Sequence, residues 1–300
     1  MTHWENALKD YTIYLRLERG LSENTIQSYY YDIQAFIDYI KANNLNFTIQ
    51  SCSKDDLNAY VYFLAKEVSS RSQARQISGL KSFFNYLIFE DYRSDSPMDL
   101  IDSPKIGQKL PEVLSVSEID SILASIDLSN KQGHRNMAII ELLYGSGLRV
   151  SELLNLRMSD IHFEENLILI TGKGNKQRLV PLGGICKKRV LCYIDESRVH
   201  YPIKKEAQDI VFLNQNGRQL TRAMIFTIVR QATKLAGVQK KVSPHTFRHS
   251  FATHLLENGA DLRSIQQMMG HESITTTEVY VHLDSKHLAR TLNDFHPRNN

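Results

Sequence analysis

Residues 243–282 read SPHTFRHSFATHLLENGADLRSIQQMMGHESITTTEVYVH, and this stretch indicates how the second half of the chain folds. Ser243 followed by Pro244 is typical of a helix start, because serine caps free backbone N–H groups and proline fits the first helical turn. The pattern beyond this start predicts helices near 244–257 and 261–269. The stretch therefore belongs to a mostly helical domain.

The same stretch carries side chains that can contact an anion. His245 and Arg248 are three residues apart, so they share one helix face. Gly270 ends the following helix and leaves His271 at the helix exit. Tyr280 follows in the segment TTTEVYVH. Two more basic residues stand upstream, namely Arg149 in GSGLRVSELLNL and Lys173 in GKGNK.

The first hundred residues predict a small bundle of four amphipathic helices. Apolar residues recur at intervals of three or four positions in each of four segments. Ser53 and Asp56 form a capping-box pattern at the start of the third segment. The fourth segment extends from about Ser70 to Phe89, and the joins between segments are short.

Three prolines between Ser94 and Pro111, with no sustained apolar period, predict a linker between two domains. The predicted division is a helical domain at 1–96, a linker at 97–111 and a second domain at 112–300. In the second domain we expect two strands joined by the GKGNK turn, and a third strand further along the chain. The predicted strands are 167–170, 178–182 and 211–213, and the other predicted helices lie near 117–127, 134–144, 149–156, 221–235 and 284–294.

The predicted fold class is therefore mainly α, with a small antiparallel β-sheet in the second domain. The first 110 residues carry 12 Lys and Arg against 14 Asp and Glu, so the excess of basic residues lies in the remainder of the chain. That distribution suggests a polyanionic partner for the second domain.

The chain has three cysteines, and no two of them form a CxxC motif. This spacing argues against a disulfide framework or a thiolate zinc site.

Several common functional classes find no support in the sequence. It contains neither GxxxxGK[ST] nor GxGxxG nor HExxH, the signatures of nucleotide binding and of one class of zinc site. His245 and His249 are four apart on a helix, but no third ligand is evident for a zinc ion. No apolar run is long enough to span a membrane, and the N-terminus does not resemble a signal peptide. We expect a cytoplasmic protein.

The HxxR, GH and terminal Tyr pattern, in this order and spacing, resembles the tyrosine recombinase (phage integrase-like) family, and within it the Xer recombinases. The resemblance covers nearly the whole chain, because LSENTIQSY and SSRSQARQISGLKSFFNYL are similar to the core-binding domain of that family. It implies that residues 1–96 bind DNA and that residues 112–300 form the catalytic domain. It also implies that no metal, cofactor or ATP is needed.

Carried over residue by residue, the resemblance makes Tyr280 the nucleophile that attacks a DNA phosphodiester. Two guanidinium groups hold the non-bridging phosphate oxygens with forked hydrogen bonds, which a lysine cannot imitate. A base takes the tyrosine proton, and an acid protonates the leaving 5′-oxygen. The implied set is Arg149 and Arg248 on the phosphate oxygens, His245 as base, Lys173 as acid and His271 as a hydrogen-bond donor to the phosphate.

Further contacts are expected outside this set. The fourth N-terminal helix carries basic residues that could face DNA, and the hairpin of the second domain carries two more. These candidates are Arg71, Arg75, Lys81, Lys176 and Arg178. The resemblance implies that the last helix, 284–295, docks on a neighbouring subunit. It further implies a specific DNA site, a tetrameric synapse, a second related recombinase and control by a DNA translocase of the FtsK type.

The expected biological role is resolution of chromosome or plasmid dimers at cell division. An integrase of a mobile genetic element would use the same chemistry and remains an alternative. A type IB topoisomerase is expected to carry a lysine at the position of His245. From different classes, a non-catalytic DNA-binding protein predicts a damaged site, and a zinc hydrolase built on His245 and His249 predicts sensitivity to chelators.

Overall fold

The computed structural model describes residues 3–104, 107, 112–172, 176–270 and 281–298, with the backbone alone at 281–286. The chain divides into two compact units, Met1–Lys109 and Leu110–Asn300. Each unit has its own hydrophobic core.

The first unit contains the four predicted helices. Their packed faces carry aromatic rings, with Trp4 in edge contact with Phe36 and Tyr11 in edge contact with Phe83. All four of these side chains are buried. The prediction of four amphipathic helices is therefore confirmed, and the helices are α1 (His3–Leu17), α2 (Glu23–Ala42), α3 (Lys54–Glu67) and α4 (Ser70–Phe89).

The predicted capping box at the start of α3 is present. The backbone N–H of Asp56 donates to Ser53 Oγ over 3.2 Å, and the N–H of Ser53 donates to Asp56 Oδ2 over 2.9 Å. These two bonds satisfy N–H groups that have no partner inside the helix. The start of α3 is thus set locally by the sequence.

The second unit is mostly helical, as predicted. Helix α6 (Gly133–Gly145) lies at its centre, with residues such as Ile139 and Leu142 fully buried, and packs against α8 (Gly184–Glu196) and α10 (Pro244–Glu257). Helix α10 begins with Ser243 as N-cap and Pro244 in its first turn. The helices are α5 (Val116–Ala124), α6 (Gly133–Gly145), α7 (Val150–Leu154), α8 (Gly184–Glu196), α9 (Arg222–Leu235), α10 (Pro244–Glu257), α11 (Leu262–Met269) and α12 (Val281–Phe295).

A three-stranded antiparallel sheet lies in the second unit, in the order β1-β2-β3. Its strands are β1 (Ile161–His162), β2 (Leu167–Thr171) and β3 (Gln177–Pro181). In the register of the hairpin, Ile168 faces Val180 and Ile170 faces Arg178. Strands β2 and β3 match the predicted hairpin that carries GKGNK at its turn.

The third predicted strand, 211–213, is wrong. Val211, Phe212 and Leu213 are fully buried but form no strand, and Leu213 makes only an isolated bridge to Gln219. The backbone N–H of Leu213 instead donates to Tyr193 Oη over 3.1 Å. A short apolar run indicates burial, and burial is equally compatible with an irregular segment whose polar groups find side-chain partners.

Helix α8 was not predicted. Its buried residues Cys186, Val190 and Tyr193 follow helical spacing, although consecutive basic residues separate the first two. Gly183 stands at the N-cap. The signal was therefore present as a sparse stripe of three residues on an otherwise polar helix.

Candidate active site

Arg149 is the N-cap residue of α7, just after a turn that requires glycine. Gly147 has φ +57°, and a Cβ at this position would lie 2.5 Å from a ring carbon of Phe251. The N–H of Arg149 donates to Glu152 Oε2 over 2.8 Å, and its Nη1 donates to Glu152 Oε1 over 2.8 Å. The tight turn and the capping carboxylate together fix where this guanidinium lies.

Helix α10 places His245 and Arg248 on one face, as their spacing predicts. Arg248 is buried, with 6% of its surface exposed. Its Nη1 donates to the carbonyl of Gly147 over 2.5 Å, and its Nη2 donates to the carbonyl of Met269. The Nη1 of Arg248 is also 3.9 Å from Glu152 Oε2. The two arginines implied by the resemblance therefore meet at one carboxylate.

Glu152 is a site residue that the sequence analysis did not find. Its side chain is 3% exposed and contacts three guanidinium groups. Burial alone would raise the pKa of this carboxyl, but hydrogen bonds and charge from Arg178, and then from Arg149, lower the pKa to about 2. The segment RVSE did contain a signal, because an acidic residue three positions after a helix N-cap commonly caps the helix.

Arg178 lies in β3 and is the strongest partner of Glu152. Its Nη1 and Nη2 donate to Glu152 Oε1 and Oε2 over 2.7 Å and 2.9 Å, and its Nε donates to the carbonyl of Met268 over 3.0 Å. The side chain is only 14% exposed. We predicted Arg178 as a DNA contact, whereas these bonds direct its guanidinium into the domain. Lys176, the other hairpin candidate, is exposed.

The charges at this site change the proton affinities of its members. Burial, followed by the charge of Arg149, lowers the pKa of Arg248 to about 10, which still leaves it protonated near neutral pH. Burial also lowers the pKa of His245, and the charges of Arg222, Arg248 and Arg149 lower it further. A neutral imidazole next to two guanidinium groups can accept a proton, as a general base must.

The exit of α11 is held by the same arginines. Gly270 is a left-handed C-cap with φ +63°, as predicted for a helix end. The carbonyl of Gly270 accepts from Arg149 Nη2 over 3.0 Å, directly after the carbonyls that accept from Arg178 and Arg248. Three consecutive carbonyls at the end of α11 therefore accept hydrogen bonds from the three arginines around Glu152. The predicted site residues Lys173, His271 and Tyr280 lie outside the described residues.

The DNA-contact candidates of the first unit lie on α4. Arg71 is exposed and Lys81 is half-buried. Arg75 is half-exposed, and its Nη1 is 2.5 Å from Oδ1 of the buried Asp32. Burial raises the pKa of Asp32, and the charge of Arg75 opposes that rise. Asp32 thus holds one terminal nitrogen of the Arg75 guanidinium, while about half of the side chain is exposed.

The C-terminal helix packs on its own domain in this structure. Leu288 and Leu292 are buried in the core of the second unit. Beyond the helix, Arg298 donates to the fully buried Glu141, and its Nη1 donates to Asp120 over 2.5 Å. The end of the described chain is therefore fastened to α5 and α6.

The described residues contain neither a candidate metal site nor a membrane-spanning helix. No group of three His, Cys, Asp or Glu side chains converges there in a way that could hold a metal ion. Within that same part of the chain, the helices are too short or too polar to cross a bilayer.

Comparison with known proteins covers both units. Residues 112–287 match the phage integrase family, and residues 8–91 match the N-terminal SAM-like domain of phage integrases. Tyrosine recombinase XerD of Oceanobacillus iheyensis is 43% identical over 295 residues, which cover 98% of this chain and 99% of that protein. Tyrosine recombinase XerD of Listeria innocua is 41% identical over 294 residues, with 98% and 99% covered.

A solved structure shares both the fold and a detectable sequence similarity. The XerH site-specific recombinase, in a post-cleavage complex with a palindromic difH substrate, is 28% identical with a TM-score of 0.70. The match covers 90% of this chain and 79% of that one. From these matches and the arginine cluster around Glu152, the chain belongs to the phage integrase family of tyrosine recombinases and is a site-specific recombinase of the Xer type.

Proposed function

We propose that this recombinase cuts and rejoins DNA through a 3′-phosphotyrosine at Tyr280, with Arg149 and Arg248 activating the phosphate. The observation that carries the proposal is the meeting of both guanidinium groups at one buried carboxylate, 2.8 Å and 3.9 Å from its two oxygens. Such preorganised positive charge favours the five-coordinate phosphorane, which carries more negative charge than the diester. One such donor contributes on the order of 3 kcal/mol.

In this reaction the Tyr280 oxygen bonds to phosphorus and the bond to the 5′-oxygen breaks. The tyrosine proton passes to His245, whose lowered pKa supports the role of acceptor. Lys173 gives a proton to the leaving 5′-oxygen, and His271 donates a hydrogen bond to the phosphate. A phosphodiester bond is replaced by a phosphotyrosine ester of similar energy, so religation to another 5′-hydroxyl reverses the same step without ATP.

The similarity to Xer recombinases supports the biological role. We infer that the chain acts in the cytoplasm on a specific recombination site, in a tetrameric synapse with a second related recombinase. Its task would be the resolution of chromosome or plasmid dimers at cell division, under the control of a DNA translocase of the FtsK type. The relatives compared above carry the name XerD, and the XerH structure contains a difH substrate.

The DNA contacts proposed outside the catalytic set are Arg71, Arg75, Lys81 and Lys176. The exposure of Arg71, Arg75 and Lys176 supports this assignment. Each phosphate contact that is lost should reduce the salt dependence of DNA binding, because fewer counterions are released. In Arg71→Ala, the plot of log K for DNA binding against log salt should therefore become less steep, by about 0.9 in slope.

We further propose that α12 contacts a neighbouring subunit in the synapse. Because Leu288 and Leu292 are buried in the domain core, removal of residues 284–300 would damage the core as well as any interface. Arg290 is exposed on the same helix, so Arg290→Glu is the milder test. It should weaken cooperative assembly of subunits on DNA and leave single-site binding intact, and unchanged assembly would contradict the proposal.

Covalent trapping on a nicked suicide substrate tests the proposed function. The unmodified protein should form a DNA adduct with EDTA present, because no metal takes part. Tyr280→Phe should bind the same DNA and form no adduct, which separates an enzyme from a binding protein. Peptide mapping of the adduct should place the nucleotide on Tyr280. An adduct on another residue would overturn the proposal.

A second substrate tests the role of Lys173. If the bridging 5′-oxygen is replaced by sulfur, the leaving thiolate needs no proton, since a thiol is far more acidic than an alcohol. Lys173→Ala should cleave the ordinary substrate slowly and the sulfur substrate at nearly the unmodified rate. Equal slowing on both substrates would remove Lys173 as the acid.

A further inference from the structure

Arg178 lies where three parts of the active site come together. Its backbone belongs to β3, which is paired with β2 through Ile170. Its side chain reaches Glu152 in α7 and the carbonyl of Met268 in α11. One guanidinium thus connects the hairpin strand, helix α7 with its N-cap Arg149, and helix α11 with its C-cap Gly270.

The contact with Glu152 is bidentate and shielded from water. Both carboxylate oxygens accept from Arg178, at 2.7 Å and 2.9 Å, and the two side chains are 14% and 3% exposed. Glu152 Oε1 also accepts from Arg149 Nη1 at 2.8 Å. The two parallel hydrogen bonds from the Arg178 guanidinium fix the orientation of the Glu152 carboxylate, and this orientation in turn sets the position of Arg149.

The end of α11 is shaped around the same side chain. A Cβ at Gly270 would lie 2.9 Å from the Cδ, Nε and Cζ atoms of Arg178. The arginine could not move aside easily, because Glu152 and Met268 hold it at three N–H groups. Gly270 is therefore needed for this close approach as well as for its φ of +63°.

We propose that Arg178 is a positioning residue for phosphate activation, which acts by orienting Glu152 and through it Arg149. This inference rests on the proposed function, and it gives Arg178 a part in catalysis other than DNA contact. The low exposure of its side chain and the use of its Nε and both terminal nitrogens within the domain argue for positioning.

The first experiment compares Arg178→Met and Arg178→Lys with the unmodified full-length chain. The rate of adduct formation is measured on the suicide substrate with enzyme at saturation, and DNA affinity is measured as a function of salt. Arg178→Met should lower the rate about 100-fold, as expected when a catalytic group is misplaced by about 1 Å. The dissociation constant and its salt slope should stay the same.

Arg178→Lys separates the two roles and covers the case in which the methionine variant does not fold. A lysine keeps the positive charge, so it could still contact a phosphate. It cannot bind both oxygens of Glu152 at once, as the arginine fork does. We expect the lysine variant to bind DNA normally and to cleave at least about tenfold more slowly. Arg218→Met, at an exposed arginine of the same domain, is the matched control and should change neither quantity.

A double-mutant cycle with Glu152→Gln provides a readout that general destabilisation would not give. If Arg178 acts through Glu152, the double variant should cleave no more slowly than the slower single variant. If the two losses multiply, Arg178 does not act through Glu152 and the proposal is wrong. The proposal would also be overturned if the salt dependence of DNA binding became less steep by about 0.9 in Arg178→Met, because that result would indicate a phosphate contact.

The outcome can be told apart from failure of the proposed function. If the unmodified protein forms no adduct, or forms one on a residue other than Tyr280, the function proposed above fails before Arg178 is considered. If the adduct forms on Tyr280 and the Arg178 variants cleave at the unmodified rate, only the positioning role is lost.

Discussion

Replacing Glu152 by glutamine should destabilise the catalytic domain far more than an ordinary loss of a surface charge. The carboxyl is 3% exposed and has three guanidinium groups within 4 Å. The pKa of Glu152 falls from 4.5 to about 2 in the folded chain. Each pKa unit corresponds to 1.36 kcal/mol, so the ionised form gains about 3 kcal/mol from folding.

Glutamine keeps the size and one acceptor oxygen but leaves Arg149, Arg178 and Arg248 without a balancing anion. Removing one member of a buried ion pair costs about 3–5 kcal/mol, which agrees with the value from the pKa. For a domain of this size the midpoint of thermal unfolding falls by about 2–4 °C per kcal/mol. We therefore expect a midpoint about 6–20 °C lower in Glu152→Gln.

Glu118→Gln is a matched control, because Glu118 occupies the same capping position in α5 and pairs with Lys240 over 2.7 Å. Its side chain is 27% exposed, so the loss should be about 1 kcal/mol or less. Unfolding is followed by circular dichroism, with fluorescence of Trp4, the single tryptophan, reporting on the N-terminal unit. Equal midpoints for the two variants would refute the assignment of Glu152 as a buried anchor.

The same carboxylate predicts how stability depends on pH. A group whose pKa is lower in the folded state stabilises the fold above its unfolded pKa and loses that contribution as the pH falls towards the folded value. The difference between the unmodified chain and Glu152→Gln should therefore be full above pH 4.5 and shrink towards pH 2. A difference that grows on acidification would contradict the lowered pKa.

Three further predictions follow from single contacts. Gly147→Ala should cost about 2 kcal/mol in urea unfolding, because φ is +57° and the new Cβ meets Phe251; a neutral effect would contradict the turn. Arg298→Met leaves Glu141 buried without its cation and should cost about 3–5 kcal/mol in the same measurement, whereas Arg290→Met on the exposed face of α12 should cost little. The rate of adduct formation should fall on the acid side only below pH 6.5, since the pKa of His245 is lowered and its neutral form accepts the proton; an acid limb above pH 6.5 would exclude that role.

Most of the helical architecture could be predicted because most helices carry their own signals, and α8, with only three buried residues on a polar helix, is the exception. The capping box at Ser53 and the Ser243–Pro244 start are local features, and the structure contains both. The hairpin was evident from two apolar runs around a glycine turn. The segment 211–213 shows the limit, because a buried apolar triplet does not by itself determine whether the backbone pairs as a strand.

The candidate site was predictable in its charged residues and not in what holds them. His245 and Arg248 share a helix face by spacing alone, and the resemblance singled out Arg149. The sequence does not single out the anchor, Glu152, and it predicts Arg178 only as a DNA contact on the hairpin. Their pairing joins residues 26 positions apart, and only the tertiary fold brings them together.

A buried carboxylate inside the proposed phosphate site is consistent with the charge balance of the arginine cluster around Glu152. Arg149, Arg178 and Arg248 surround Glu152, so the four side chains keep a net positive charge of two. Without the carboxylate, the three neighbouring guanidinium groups would repel one another, and the buried Arg248 would have no anion to offset its lost hydration. With it, the arginines stay charged and fixed before DNA arrives. In the proposed reaction, the remaining positive charge would match the phosphorane, a dianion, better than the singly charged diester. A difference of this kind accelerates a reaction because it stabilises the transition state more than the substrate.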